Sequence, residues 1–211
     1  MKFGIRIADT RRVLVLGSLC AGLFGTAQAT PVTYNFDALS ELESVATQFA
    51  GMSFTNASIL TAVTSLNEQE FPPASGPNVV VDDGGPLSIL FTNPVFSVGA
   101  AFTYTSALSF SVYDNADVLL GTVSSLGNLN VTSNTGGLAV NELLSFADVG
   151  GRISRLVISG DALGFSFVMD DLTVDFGTGS PVPEPATLAL VAGLLGIGVL
   201  PGGWMRRPRP H

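Results

Sequence analysis

Phe96-Ser97-Val98-Gly99-Ala100-Ala101-Phe102-Thr103-Tyr104 is the stretch that decides the fold. Its apolar residues Phe96, Val98, Ala100, Phe102 and Tyr104 recur at every second position. Successive side chains of a strand point to opposite faces, so one face of a half-buried strand would carry all five. The same period continues outward in both directions. Leu108, Phe110 and Val112 follow a turn at Thr105-Ser106, and Asp114-Asn115-Ala116-Asp117 is a tight-turn sequence leading into residues 118–123, the pattern of a hairpin. Downstream runs at 143–146, 153–159 and 165–176 read as strands. Upstream, Val32, Tyr34 and Phe36 share a face of a first strand, and weaker runs lie at 52–54, 59–63, 79–81 and 87–91. Residues 39–49 are the one short helical candidate.

About ten short strands with small residues in the connections, in roughly 150 residues, predict an all-β domain at 30–177. The expected form is an antiparallel β-sandwich of jelly-roll type, with the inward-facing aromatics between its sheets.

The ends of the chain have a different character. Lys2, Arg6, Arg11 and Arg12 precede the apolar run 13–24 and then Ala27-Gln28-Ala29, the layout of a secretory signal peptide over residues 1–29 with cleavage after Ala29. Leu19, just before the only cysteine, Cys20, stands where a lipoprotein would need a small residue, so the exported body is expected to have no thiol and no disulfide. At the other end a linker at 178–182 leads to Pro183-Glu184-Pro185, an apolar segment at about 186–205 and a basic end at 206–211. About 20 apolar residues suffice to cross a bilayer as a helix. Arginines in a short flank stay on the cytoplasmic side, which places the body outside a transmembrane anchor. Pro201-Gly202-Gly203 interrupts the helix near that end.

Val182-Pro183-Glu184-Pro185-Ala186-Thr187, a Leu/Gly-rich span and the terminal Arg206, Arg207 and Arg209 together resemble the PEP-CTERM sorting signal. The resemblance implies a substrate of exosortase, a membrane transpeptidase of Gram-negative bacteria that make extracellular polysaccharide. It also implies an inner-membrane-anchored precursor that is later processed to the cell surface or the extracellular space. A plain anchor with an incidental Pro-Glu-Pro is the other reading. In the body, Asn35-Phe36-Asp37-Ala38-Leu39, Phe91-Thr92-Asn93-Pro94-Val95 with Val98-Gly99, and Phe167-Val168-Met169-Asp170-Asp171-Leu172 resemble the exported domains that precede such tails. Those domains are similar in turn to jelly-roll carbohydrate-binding modules.

Charge narrows the function. Between residues 30 and 177 fifteen carboxylates face only Arg152 and Arg155, a net charge of −13 against −8 for the whole chain. Nucleic acid is excluded as a partner, because phosphate contacts need a Lys/Arg face. The only histidine, His211, lies in the basic end. The body therefore lacks the side chains of a histidine-dependent triad or an ordinary zinc site, and the expected protein is not an enzyme. Paired carboxylates could in principle cleave a glycoside, but acids are too numerous here for a pair to mean much.

Two acidic constellations remain. In the last strand Phe165, Phe167 and Met169 have one parity and Leu172, Val174 and Phe176 the other, so the phase slips at Asp170-Asp171, as at a β-bulge. Two carboxylates there are costly unless neutralised. The carbohydrate-module resemblance implies a structural calcium ion held by Asp170 and Asp171 with Asn35 and Asp37, while the alternative is a pair of solvated strand-end aspartates. The second constellation brackets a Pro/Gly-rich loop: Asn67, Glu68, Glu70 and Phe71 on one side, Asp82 and Asp83 on the other. If the loop folds back they could meet around a cation or a sugar; otherwise they are solubilising charges. Sugar faces are usually met by Trp or Tyr rings, and the body has only Tyr34, Tyr104 and Tyr113, the first two of inward parity. The expected role is structural or adhesive in an exopolysaccharide matrix or biofilm, with a carbohydrate-binding module as the alternative.

Overall fold

The computed structural model describes residues 30–177, and these form eleven strands: β1 (Val32–Tyr34), β2 (Met52–Thr55), β3 (Ala57–Thr61), β4 (Asn78–Asp82), β5 (Leu87–Val95), β6 (Ser97–Tyr104), β7 (Ser109–Tyr113), β8 (Leu119–Ser124), β9 (Glu142–Ala147), β10 (Ile153–Ser159) and β11 (Phe167–Asp175). The signal peptide, the linker and the whole sorting signal, including Pro183, Glu184, Pro185, Arg206, Arg207 and Arg209, lie outside the described residues. Among the described residues there is no helix, and so none long and apolar enough to cross a membrane.

One sheet has the order β3-β4-β11-β6-β9, with β1 beside the far half of β11; the other has the order β2-β5-β10-β7-β8. Every pairing between these strands is antiparallel. The last eight strands pair in a nested series, β4 with β11, β5 with β10, β6 with β9 and β7 with β8. These pairs fall alternately in the first and second sheets, which is how a long hairpin is wound into a jelly roll.

The alternation read from the sequence is what closes the core. Val98, Ala100, Phe102 and Tyr104 of β6 are buried, as are Phe110 and Val112 of β7 on the facing sheet. Phe102 meets Phe110 and Phe167 edge to face, with centroids 6.1 and 5.8 Å apart. A second aromatic group, Phe36, Phe49, Phe54 and Tyr34, closes another part of the same core. T-shaped contacts of this kind add to the area term, because ring edges are positive and ring faces negative.

The hairpin at Asp114 is present. The Asp114 carboxylate accepts the N–H groups of Ala116 and Val118, both at 2.9 Å, and Asp117 takes a φ of +60°. The slip in β11 is also present. Asp170 pairs with Ala101 and Thr173 with Gly99, three steps on one strand against two on its neighbour, and Asp171 has a φ of +49°. The bulge lets Phe167 and Met169 before it, and Leu172 and Val174 after it, all reach the core.

Four expectations are corrected. Phe36 is not in β1; the chain turns there with a φ of +62° and drops the ring into the core from a loop. Phe96 does not share the face of β6. It occupies the bend between β5 and β6, where the Phe96 N–H bonds the carbonyl of Asp175, and its ring lies over Gly151 and Gly177. Phe165 precedes β11 and is exposed. Residues 39–49 form turns rather than a helix. Leu42 and Val45 donate to the carbonyls of Ile59 and Ala57, so the segment runs as an irregular cover along β3.

One stretch escaped the alternation for a physical reason. Val79, Val80 and Val81 are all buried because Leu66 and Phe71, from the long connection between β3 and β4, cover the outer face of the first sheet over Val79 and Val168. A strand buried on both faces has no period of two to read.

Candidate functional site

Asp170 is 1% exposed, and its carboxylate is fully engaged by the protein. One oxygen accepts the Ser75 N–H at 2.8 Å and the other the Asp171 N–H at 2.7 Å, while Asp171 accepts the Ser75 hydroxyl at 2.6 Å. The next residue, Gly76, lies directly on Asp37, so closely that a Cβ would fall 1.9 Å from Oδ2, and Asp37 Oδ1 accepts the Asn78 N–H at 3.2 Å. Asn35 only closes a local turn with the Asp37 N–H at 3.4 Å. The strap Ser75-Gly76 thus serves Asp170 and Asp171 through the Ser75 N–H and O–H and abuts Asp37, while Asn35 bonds only the Asp37 N–H. Among the described residues no group of three or more His, Cys, Asp or Glu is arranged to hold a metal ion. Burial pushes the Asp170 carboxyl up to about 6; the two N–H donors oppose that shift and the neighbouring Asp171 charge adds to it.

The second constellation does not converge. Asn67 caps a turn by accepting the N–H groups of Glu70 and Phe71 through its carbonyl. Glu68 accepts the Val63 N–H at 3.1 Å, Glu70 accepts the Ser133 N–H at 3.0 Å, and Phe71 packs over Val79. Asp83 is exposed and accepts the Ser58 hydroxyl at 2.6 Å. Asp82 corrects the expectation of a ligand loop most clearly, because it is the buried last residue of β4. Its carboxylate accepts the Ser166 N–H, the Ser166 hydroxyl and the Phe167 N–H at 2.9, 2.9 and 3.1 Å, and burial raises its pKa despite those bonds. It fastens the β10–β11 connection and has no oxygen facing an outside ligand.

The structure assembles a different group on the open face of the second sheet. Register places Ser53, Leu90, Arg155, Tyr113 and Leu119 side by side across β2, β5, β10, β7 and β8. The Arg155 guanidinium carbon stands 4.2 Å from the Tyr113 ring centroid, and its Nη2 and Nε donate to Asp117 Oδ1 at 2.9 and 3.1 Å. The ion pair is too exposed to stabilise the fold by much, at most about 1 kcal/mol. Its effect is positional: it holds a planar cation across an aromatic ring. The neighbouring row, Thr55, Ser88, Val157 and Ser111, is rich in hydroxyls, and Ser111 bonds Thr122 at 2.9 Å. Leu90 and Leu119 flank the group and are about half exposed. Parity alone shows that Tyr113 and Arg155 point outward. That they meet depends on the register of β10 against β7, which no local pattern encodes.

A groove of about 350 Å³ also lies on the outer face of the first sheet, between β6, β9 and β11. Gly99 is its floor, where a Cβ would come within 2.8 Å of that of Ser145; Ser97, Thr173 and Leu143 line it, and no charged side chain does.

These features define a β-sandwich with one uncovered sheet face that carries a small polar and aromatic group. No protein-family model and no curated protein matches the chain. Solved structures that it resembles include the K2 cleaved adhesin domain of Lys-gingipain, at 9% identity and a TM-score of 0.43 over 69% of this chain and 99% of that one. They also include TmCBM61 in complex with β-1,4-galactotriose, at 12% identity and a TM-score of 0.38 over 66% and 92%, and the CBM22-1 xylan-binding domain of Paenibacillus barcinonensis Xyn10C, at 12% and 0.38 over 72% and 97%.

Proposed function

We propose that the body is a non-catalytic module that binds neutral polysaccharide across the open face of its second sheet. The observation that carries this is the Tyr113, Arg155 and Asp117 group on an uncovered, hydroxyl-rich face. A guanidinium fork and a carboxylate offer donors and acceptors for sugar hydroxyls, and a tyrosine offers a ring for the apolar side of a pyranose. The net charge of −13 favours uncharged sugars over uronates, which it repels. Affinity electrophoresis of the body in gels containing neutral polysaccharides tests the reading. Tyr113→Ala and Arg155→Ala should each weaken retention about tenfold while the body stays folded, with only a small change in Tm. A parent protein that no neutral polysaccharide retards, or a Tyr113→Ala variant retarded equally, overturns it.

Delivery rests on the tail. We infer that the chain is exported by its signal peptide and held by the C-terminal span, and that exosortase then processes it at Pro183-Glu184-Pro185 for the cell surface or matrix. The order of tripeptide, span and Arg206, Arg207 and Arg209 supports this. Replacing Pro183, Glu184 and Pro185 together by Ala should leave a full-length, membrane-held precursor with an unchanged body. Mass spectrometry of the mature protein decides, and a surface form that still carries Arg206 to Arg209 leaves only an anchor.

A further inference from the structure

Leu163 and Phe165 project from the β10–β11 connection, 82% and 64% exposed, on a loop that is held rigidly from beneath. The buried Asp82 supplies the hold: its carboxylate takes Ser166 and Phe167, and its carbonyl accepts the Phe165 N–H at 2.6 Å. Gly164, at a φ of +83°, is pressed so close to the β4–β5 connection that a Cβ would lie 2.6 Å from the Gly84 nitrogen. The Asp161 carboxylate accepts the Leu163 N–H at 2.9 Å. Phe165 itself has a φ of +56°, an outlier for a bulky residue. Strain of this sort persists only where the surroundings over-determine it, and it gathers at binding sites. Here a buried carboxylate and a glycine contact maintain a strained backbone whose result is an aromatic ring held out in water.

We propose that this loop tip is a stacking platform for a neutral pyranose ring, with Phe165 beneath the sugar and Asn56, Asp83 and Asp161 as partners for its hydroxyls. Three connections meet there, since a Cβ on Gly85 would lie 3.6 Å from both the Ala162 carbonyl oxygen and the Asn56 amide nitrogen. Their polar groups are an amide and two carboxylates, with no lysine or arginine in residues 56, 83–86 or 160–166. Anionic lipid and acidic polymers are therefore repelled. Insertion into any bilayer would strip water from Asp83 and Asp161, and a second copy docked tip to tip would set those carboxylates against their own kind. A hydroxyl-bearing ring with an apolar face satisfies both the ring and the acids.

The proposal rests on the reading of the body as a saccharide-binding module but adds a contact apart from the open sheet. Phe165→Gly tests it, because glycine relieves the left-handed backbone and so should leave Tm no lower than the parent's. In affinity electrophoresis with soluble glucan, mannan, xylan and galactan, retention by whichever retards the parent should fall about tenfold in Phe165→Gly. Retention unchanged in Phe165→Gly but lost in Tyr113→Ala sinks the loop and leaves the sheet reading standing. A parent retarded by none of the four sinks the sheet reading as well. Co-sedimentation with phosphatidylcholine vesicles, or a dimer in sedimentation analysis, that is lost in Phe165→Gly would assign the tip to lipid or to self-association and overturn the proposal.

Discussion

Asp170→Asn is expected to flatten the dependence of folding stability on pH between about pH 4 and about pH 7. In the folded body this carboxyl is pushed from 3.8 up to about 6, with burial as the main cause. A raised folded pKa means that the native state holds the proton more tightly than the unfolded chain does. The contribution is therefore full below pH 3.8 and is lost as pH rises through about 6. A change of that size corresponds to about 3 kcal/mol. Asp82 is raised by burial as well and slopes the same way. Glu41, Glu43, Glu68 and Glu70 are lowered by hydrogen bonds, and Asp148 is held down to about 2 by Arg152, so their contributions are present above the ordinary carboxylate range and lost in acid. Stability should thus fall both in acid and as pH rises through about 6, and denaturant unfolding across the range measures it. The slope is the readout, because the amide NH2 of the new Asn would face one of the two N–H donors and carry a cost of its own. The same titration tests the calcium reading of Asn35, Asp37, Asp170 and Asp171. A cation there would keep Asp170 ionised, so millimolar calcium would raise Tm at neutral pH and remove the slope, while magnesium at equal ionic strength would not. If the parent shows no loss of stability as pH rises through about 6 without calcium, the carboxylate is not buried as described.

Asp82→Ala is expected to cost about 3 kcal/mol, a fall in Tm of roughly 6–12 °C, while Asp83→Ala costs little. The two aspartates are adjacent in sequence and equal in charge. Asp82 is buried and serves two backbone N–H groups and a hydroxyl, all of which lose their partner on truncation. Asp83 is exposed and holds one hydroxyl that water can replace. Hydrogen exchange should report the difference locally, with amides at 161–167 opening in Asp82→Ala before the sandwich does. Equal losses for the two variants would mean that general charge, and not the fastening of the loop, sets the cost.

Period and composition account for everything that the sequence alone determined about this protein. Alternation at Val98 to Tyr104, at Phe110 and Val112 and at 153–159 specifies strands and their inward faces, because a pleated strand has one periodicity and water sorts the side chains by it. The parity slip at Asp170-Asp171 located a bulge for the same reason, and Asp114 marked a hairpin because its carboxylate satisfies its own turn. Tertiary structure decided everything that depends on what lies opposite. Residues 39–49 are the one short helical candidate, but the N–H groups of Leu42 and Val45 go to β3. Val79 to Val81 show no period because a loop covers their second face. Asp82 and Asp83 differ only in which side of β4's end they occupy. Arg155 meets Tyr113 through a strand register set by far-apart segments, and the Phe165 N–H is held by the main-chain carbonyl of Asp82, more than eighty residues earlier in the chain. Such partners are chosen by how the two sheets close on one another, and local pattern carries no record of that choice.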